Sequence, residues 1–179
     1  LLSYRTGWVE LNTAVGVGFR RLTSLSGLQA ARVRGAIMLG AITLDEGFGA
    51  WAGDNPVGWT VQEQDATNRV TQAAASVVRV TKNGGGVATW LERAVLTAGQ
   101  LTHIEITLAA TPTAPLRVRT RNGGGVESAD IFVADASTPV GTYRFTLTPA
   151  AGHTVLRLVM AAGANGTVDI DAIRVWPAT

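Results

Sequence analysis

The chain has 179 residues, 46% hydrophobic and 16% charged, with 21 glycines, 6 prolines, no cysteine and a net charge of +2. This excludes a disordered chain, a disulfide scaffold, a cysteine-ligated metal and a thiol nucleophile. With His103 and His153 the only histidines, it also excludes a multi-histidine metal cluster. No apolar run reaches the ~20 residues of a membrane-spanning helix, so no membrane insertion is expected, and residues 35–44 have the length of a buried strand. Lys82 is the only lysine among 15 basic residues. The arginines are scattered, not gathered into a basic arm or patch, so nucleic acid is not an expected partner.

In chain order, residues 1–44 mix short apolar runs with glycine. Gly16, Gly18, Gly27, Gly35 and Gly40 interrupt any helical period, because each interior glycine costs a helix about 0.5–1 kcal/mol. Residues 24–33 read as loop or weak helix, and Tyr4, Trp8, Val15, Val17 and Phe19 mark one or two strands. The segment is too small and glycine-rich to hold a good core alone. It reads as an attachment segment that packs on a partner or on the main domain. No charged-plus-apolar leader is visible in it.

From residue 45 the pattern becomes short strands of alternating apolar and polar residues. They are predicted at 59–64, 76–81, 87–96, 103–108, 116–121, 128–133, 142–148, 155–160 and 167–176. Leu116, Val118 and Thr120 alternate with Arg117, Arg119 and Arg121, and Leu156, Leu158 and Met160 with Val155, Arg157 and Val159. Asn83-Gly84-Gly85-Gly86, Asn122-Gly123-Gly124-Gly125 and Asn165-Gly166 read as turns. About nine strands at near-even spacing specify an all-β fold, an antiparallel β-sandwich of jelly-roll type.

Five motifs occur in order: Glu46-Gly47-Phe48-Gly49-Ala50-Trp51, then Asn55-Pro56-Val57-Gly58-Trp59, Trp90 to Gln100, Gly141 to Thr146, and Gly166 to Val175. Over residues 45–179 they resemble jelly-roll carbohydrate-binding modules of the family 4, 9 and 22 type. The resemblance implies a structural calcium, held by a Glu of the opening motif and an Asp of the closing strand. Here Gly49 and Ala172 stand at two of those ligand positions, and Glu46 and Asp171, with Asp45 and Asp169, are the remaining candidates. Calcium takes six to eight oxygen ligands, so the expectation is no cofactor, with Asp169 and Asp171 facing solvent on an edge strand.

Sugar recognition uses flat aromatic faces flanked by polar side chains. Trp59 and Trp176 are expected in the core, and Trp51 is expected as a lid or a core plug. Trp90 and Glu92, with His103, Glu105, Arg117 and Arg119 on polar strand faces, form the candidate glycan-binding set. Arg117, Arg119 and Arg121 on one strand face suit acidic sugars or phosphate; cross-strand pairing with Glu92, Glu105 and Glu127 is the favoured alternative. No catalytic residues are assigned. No nucleophile elbow accompanies either histidine, and Asn83-Gly84-Gly85-Gly86 lacks the lysine and helix of a phosphate loop.

A jelly roll that resembles carbohydrate-binding modules, the absence of a visible export leader and a short glycine-rich N-terminal segment together lead to one expectation. It is a non-catalytic virion structural protein of a tailed phage or gene-transfer particle, where such domains are often displayed: a decoration, spike or fibre-like subunit. Residues 1–44 would anchor it to other virion proteins, and a homo-oligomeric jelly roll would display sites for cell-surface polysaccharide. The alternatives are a purely architectural capsid or tail protein, and a carbohydrate-binding module of a larger bacterial enzyme.

Overall fold

Period-two alternation puts every second side chain on one side of a strand, so chains of this pattern bury one face of each sheet. The computed structural model describes the backbone of residues 4–5, 8–13 and 16–21, and residues 42–62 and 65–178 in full. The chain divides into two compact units between Gly40 and Ala41. The first is an antiparallel sheet of β1 (Tyr4–Arg5), β2 (Trp8–Thr13) and β3 (Gly16–Arg21) in that order, three strands where the sequence suggests one or two. The loop or helix expected at 24–33 lies outside the described residues.

The second unit is an antiparallel β-sandwich, and among the described residues it holds no helix. Its five-stranded sheet runs β13 (Phe132–Ala134), β12 (Leu116–Asn122), β15 (His153–Met160), β10 (Thr89–Ala94), β7 (Thr60–Gln62). The facing sheet runs β14 (Gly141–Leu147), β11 (Thr102–Leu108), β16 (Asn165–Pro177), β9 (Val77–Asn83), β8 (Arg69–Ala74), with β4 (Leu44–Glu46) also paired to β16. A small hairpin of β5 (Trp51–Ala52) and β6 (Asn55–Pro56) precedes β7. Leu44 pairs with Val175 and packs in the core, so the sandwich begins before Asp45.

Leu91, Leu116, Val118, Leu156 and Leu158 meet Val78, Val80, Ile104, Ile106, Ile170 and Ile173 between the sheets. Each fully buried aliphatic side chain there contributes about 1.5–3 kcal/mol. The stacked rings of Phe132, Tyr143 and Phe145 close one side of this core, with centroids 5.1 and 5.3 Å apart.

Three details differ from the sequence reading. Strands β4, β5, β6 and β8 are additional: the first three are only two or three residues long, and Arg69 to Ala74 ends in polar and alanine residues that hide its alternation. Asn165-Gly166 is no turn: both residues open β16, and the chain reverses at Gly163 (φ 81°). Gly166 answers a close approach instead, since a Cβ there would lie 2.6 Å from Thr113 Oγ1 and 2.9 Å from the Thr113 backbone. Strand β16 is also central, not an edge, so Asp169 is buried and held by Arg79 through two bonds of 2.7 Å.

Candidate functional site

Strand β10 turns Leu91 into the core and Trp90 and Glu92 to the opposite face. Its neighbour β15 places Val159 opposite Trp90 and Arg157 opposite Glu92, and β12 in turn places Arg119 opposite Arg157. Five-stranded pairing thus gathers arginines 117, 119, 121 and 157 beside Glu92, and the segment after β12 adds Glu127 and Asp130.

These side chains form an unbroken series of alternating charges. Arg121 donates to Glu92 (3.1 Å), and Arg157 bonds both Glu92 (2.8 Å) and Glu127 (2.6 Å). Arg119 links Glu127 (2.6 Å) to Asp130 (2.6 Å), and Arg117 ends the series on Asp130 (2.5 Å). Each carboxylate therefore bridges two guanidiniums. Burial alone would raise the carboxyl groups of Glu127 and Asp130, but hydrogen bonds from Arg119, Arg157 and Arg117 outweigh it and hold both below their ordinary values.

Trp90 lies within this series. The Arg157 guanidinium stacks on its indole, 4.0 Å from the ring centroid, a cation–π contact that fixes the half-buried ring in place. Of the candidate set, Trp90, Glu92, Arg117 and Arg119 come together here, and the pairing of Arg117, Arg119 and Arg121 with carboxylates is realised.

His103 and Glu105 do not join them. They project from β11 on the other sheet, away from the core that Ile104 and Ile106 enter, so the six candidates split between opposite faces of the sandwich. Alternation alone gives both strands a polar side and does not say which sheet each belongs to. On that second face Glu105 accepts bonds from Arg144 and from Arg174 (2.9 Å), and Arg174 reaches Asp45 (2.8 Å). Burial would raise the Glu105 carboxyl, yet the hydrogen bonds from Arg144 and Arg174 prevail and lower it. Glu105 thus pairs with none of Arg117, Arg119 or Arg121.

His103 Nδ1 lies 2.7 Å from Thr146 Oγ1, and its ring is 5.5 Å from that of Trp176. Trp176 is only 3% exposed, but it is buried on this outer face beneath Arg144 and not in the sandwich core, because Val175 takes the inward position. Trp59 is in the core, against Phe48.

Arg157 and Asp130 were not selected by sequence reasoning. Arg157 carried a signal, as the polar member of an apolar strand; Asp130, in an irregular segment, carried none.

The calcium candidates do not assemble. Glu46 Oε2 bonds Arg93 Nη1 at 2.7 Å and Oε1 accepts the Phe48 N–H, so a guanidinium occupies its carboxylate. Asp171 is the extra residue of a β-bulge where Thr107 and Leu108 face Ala172 and Ile170, and it accepts a bond from Ser76. Among the described residues no three His, Cys, Asp or Glu side chains come together as a metal site. These residues do not fit a calcium ion.

No protein-family model matches the sequence, and no curated protein matches it. Solved structures do match the fold. The CBM22-1 xylan-binding domain of Paenibacillus barcinonensis Xyn10C is similar over 79% of this chain and 97% of its own, with 16% identity and a TM-score of 0.51. A CBM29-2 carbohydrate-binding module complexed with mannohexaose is similar over 75% of this chain and 92% of its own, at 12% identity and TM-score 0.51. The enzymatically active domain of bacteriophage CBA120 tailspike protein 4 matches 79% of this chain but 22% of its own, at 13% identity and TM-score 0.50. Residues 41–178 therefore have the β-sandwich fold of carbohydrate-binding modules.

Proposed function

We propose that residues 41–178 form a non-catalytic carbohydrate-recognition domain that contacts a glycan through the outer face of its five-stranded sheet. The observation carrying this reading is Trp90, half-buried and stacked against the buried Arg157 inside a continuous series of charged hydrogen-bonding groups. A sugar needs an apolar surface for its C–H face and rigid donors and acceptors for its hydroxyls. The Trp90 indole supplies the first, and the interlocked ion pairs hold the second in place, which lowers the ordering cost at binding. Matching structures include a xylan-binding module and a module complexed with mannohexaose, which supports the ligand class.

Catalysis is not part of the proposal. Glycoside hydrolysis sets two carboxyl groups about 5–9.5 Å apart across the substrate, one of them raised to act as an acid. Glu92 and Glu105 sit on different sheets, and the carboxyls of Glu127 and Asp130 are lowered, not raised.

A glycan-array screen followed by calorimetry tests the reading. At least one polysaccharide should bind, and Trp90→Ala should weaken it about tenfold or more, as loss of a stacking contact of roughly 1.4 kcal/mol predicts. Absence of binding to any glycan, or full affinity in Trp90→Ala, rejects it.

A second reading concerns where the domain works: display on a phage-like particle, with residues 1–40 as the anchor. The tailspike match and the separate three-stranded N-terminal unit favour it. Chains lacking residues 1–40 should lose incorporation into particles while keeping glycan affinity; equal incorporation would reject the anchor.

A further inference from the structure

The edge of the sandwich beside β8 holds a groove of about 230 Å³ lined by Trp51, Gly53, Asp54, Thr71 and Gln72. We propose that this groove is a second saccharide site, independent of the sheet face, that takes one neutral pyranose ring.

The first argument is that the aromatic floor is fixed before any ligand arrives. Phe48 has φ 49°, a left-handed conformation that costs a bulky residue of order 1 kcal/mol and persists only when its surroundings enforce it. Enforcement is visible: Glu46 Oε1 accepts the Phe48 N–H (2.8 Å), and the Phe48 ring is fully buried against Trp59. The same turn aims the Phe48 carbonyl at Trp51, whose Nε1–H donates to it at 2.7 Å. The Trp51 indole is thus anchored through its N–H and partly packed on the core, with the groove above it. Trp51 is accordingly both the plug and the floor.

The second argument is an unused carboxylate. Each other described Asp or Glu side chain accepts a hydrogen bond from an arginine, a hydroxyl or the backbone. Asp54, at the tip of the β5–β6 hairpin, has no partner among the described residues, and it lies in the groove. Across from it, Gln72 donates its Nε2 to the Ala75 carbonyl (3.1 Å), which orients its Oε1 as an acceptor. Thr71 also lines the groove.

This set defines the ligand class. A carboxylate with two free oxygens accepts two neighbouring O–H groups of a vicinal diol, and the Gln72 amide takes a third. It repels uronates, sulfated sugars and sialic acids. The volume is below the roughly 300–1,000 Å³ of drug-sized sites, which limits occupancy to one ring.

Amide and indole NMR shifts test the proposal, with methyl glucoside, methyl mannoside, methyl xyloside and glucuronate as probes. At concentrations up to about 50 mM, enough for a millimolar site, at least one neutral glycoside should shift the Trp51 indole and the Gly53, Asp54 and Thr71 amides saturably. Asp54→Asn, which keeps the hairpin turn, and Gln72→Ala should each weaken that response about tenfold, and glucuronate should bind at least about tenfold more weakly than the best neutral probe. Trp90→Ala should leave the response unchanged, which separates this site from the sheet face. No shift with any probe, an undiminished response in Asp54→Asn and Gln72→Ala, or equal binding of glucuronate would overturn it.

Discussion

The two outer faces of the sandwich are built from the same parts and end in different states. Each sets an arginine over a tryptophan and ties arginines to carboxylates across neighbouring strands. On the six-stranded sheet the cluster closes over its aromatic: Trp176 is 3% exposed under Arg144 and beside His103. On the five-stranded sheet Arg157 is the buried cation, 8% exposed, and Trp90 stays half-open beside it. One face spends its aromatic on stability, and the other keeps one available for a ligand. What distinguishes them is which member of the Trp–Arg pair is covered.

Substituting the two tryptophans gives the largest expected contrast. Trp176→Ala should cost about 3–5 kcal/mol, the range for removing a buried aromatic, whereas Trp90→Ala should cost about 1–2 kcal/mol because less of its surface is withdrawn from water. Urea unfolding of both variants measures the difference. Equal losses would show that both rings are structural and would remove the physical basis for a sheet-face site.

Next comes the hub of the open face. Arg157→Ala leaves Glu92 and Glu127 each with one guanidinium fewer in a partly buried position; Arg121 and Arg119 still hold them, so the cost should stay below the roughly 3–5 kcal/mol of an uncompensated buried charge. It also frees the Trp90 ring. The expected outcome is a less stable domain with weakened glycan affinity, read by the same unfolding curves and by calorimetry. Arg157→Ala with unchanged stability would mean that the series of ion pairs is fluid and orders nothing.

This contrast also marks how much was legible in the sequence. The all-β sandwich was, because Leu116, Val118 and Thr120 against Arg117, Arg119 and Arg121 can satisfy period-two burial only in a strand with one face in the core. Trp90, Glu92, Arg117 and Arg119 were legible as surface residues of such strands. Their division from His103 and Glu105 was not, since alternation says which side of a strand is polar but not which sheet the strand joins. Trp176 misleads for the same reason: a buried tryptophan on the closing strand reads as core, yet His103 and Arg144, distant in sequence, bury it from outside. The Trp51 groove was half-legible, as a lid or plug. That Asp54 lacks a partner among the described residues is a tertiary fact, visible only when the other described carboxylates have been matched.

Acid should dissolve both faces, with a smaller effect than either substitution near neutral pH. Glu105 and Glu127 are lowered from an ordinary value of 4.5, and Asp130 from 3.8, in each case by arginine hydrogen bonds that outweigh burial. A carboxyl lowered in the fold contributes stability that is complete above its ordinary value and is lost as pH falls through the lowered one. The melting temperature should therefore hold steady from neutrality to about pH 4.5 and fall steadily below it. Glu105→Gln should flatten that decline in part, because one of the lowered groups is gone. An unchanged acid profile in Glu105→Gln would show that the closed face does not take part.

The smallest effect is expected at the outer end of the open series. Asp130 holds Arg117 and Arg119, but the Arg117 side chain is 37% exposed and that of Asp130 24%, so solvent screens both contacts. Exposed ion pairs contribute about 0–1 kcal/mol, and Asp130→Asn should cost about 0.5 kcal/mol, less in high salt. Its value lies in direction: Arg119 keeps Glu127, while Arg117 loses the one carboxylate that holds it among the described residues and turns to solvent. If the face binds neutral glycans at Trp90, affinity should change by less than about twofold, because Val159 stands between Arg117 and Trp90 in the strand register and the indole keeps its Arg157 contact. A gain for acidic over neutral polysaccharides in Asp130→Asn would instead place the freed Arg117 at the ligand, and would make the outer end of the series, not its centre, the part that reads charge.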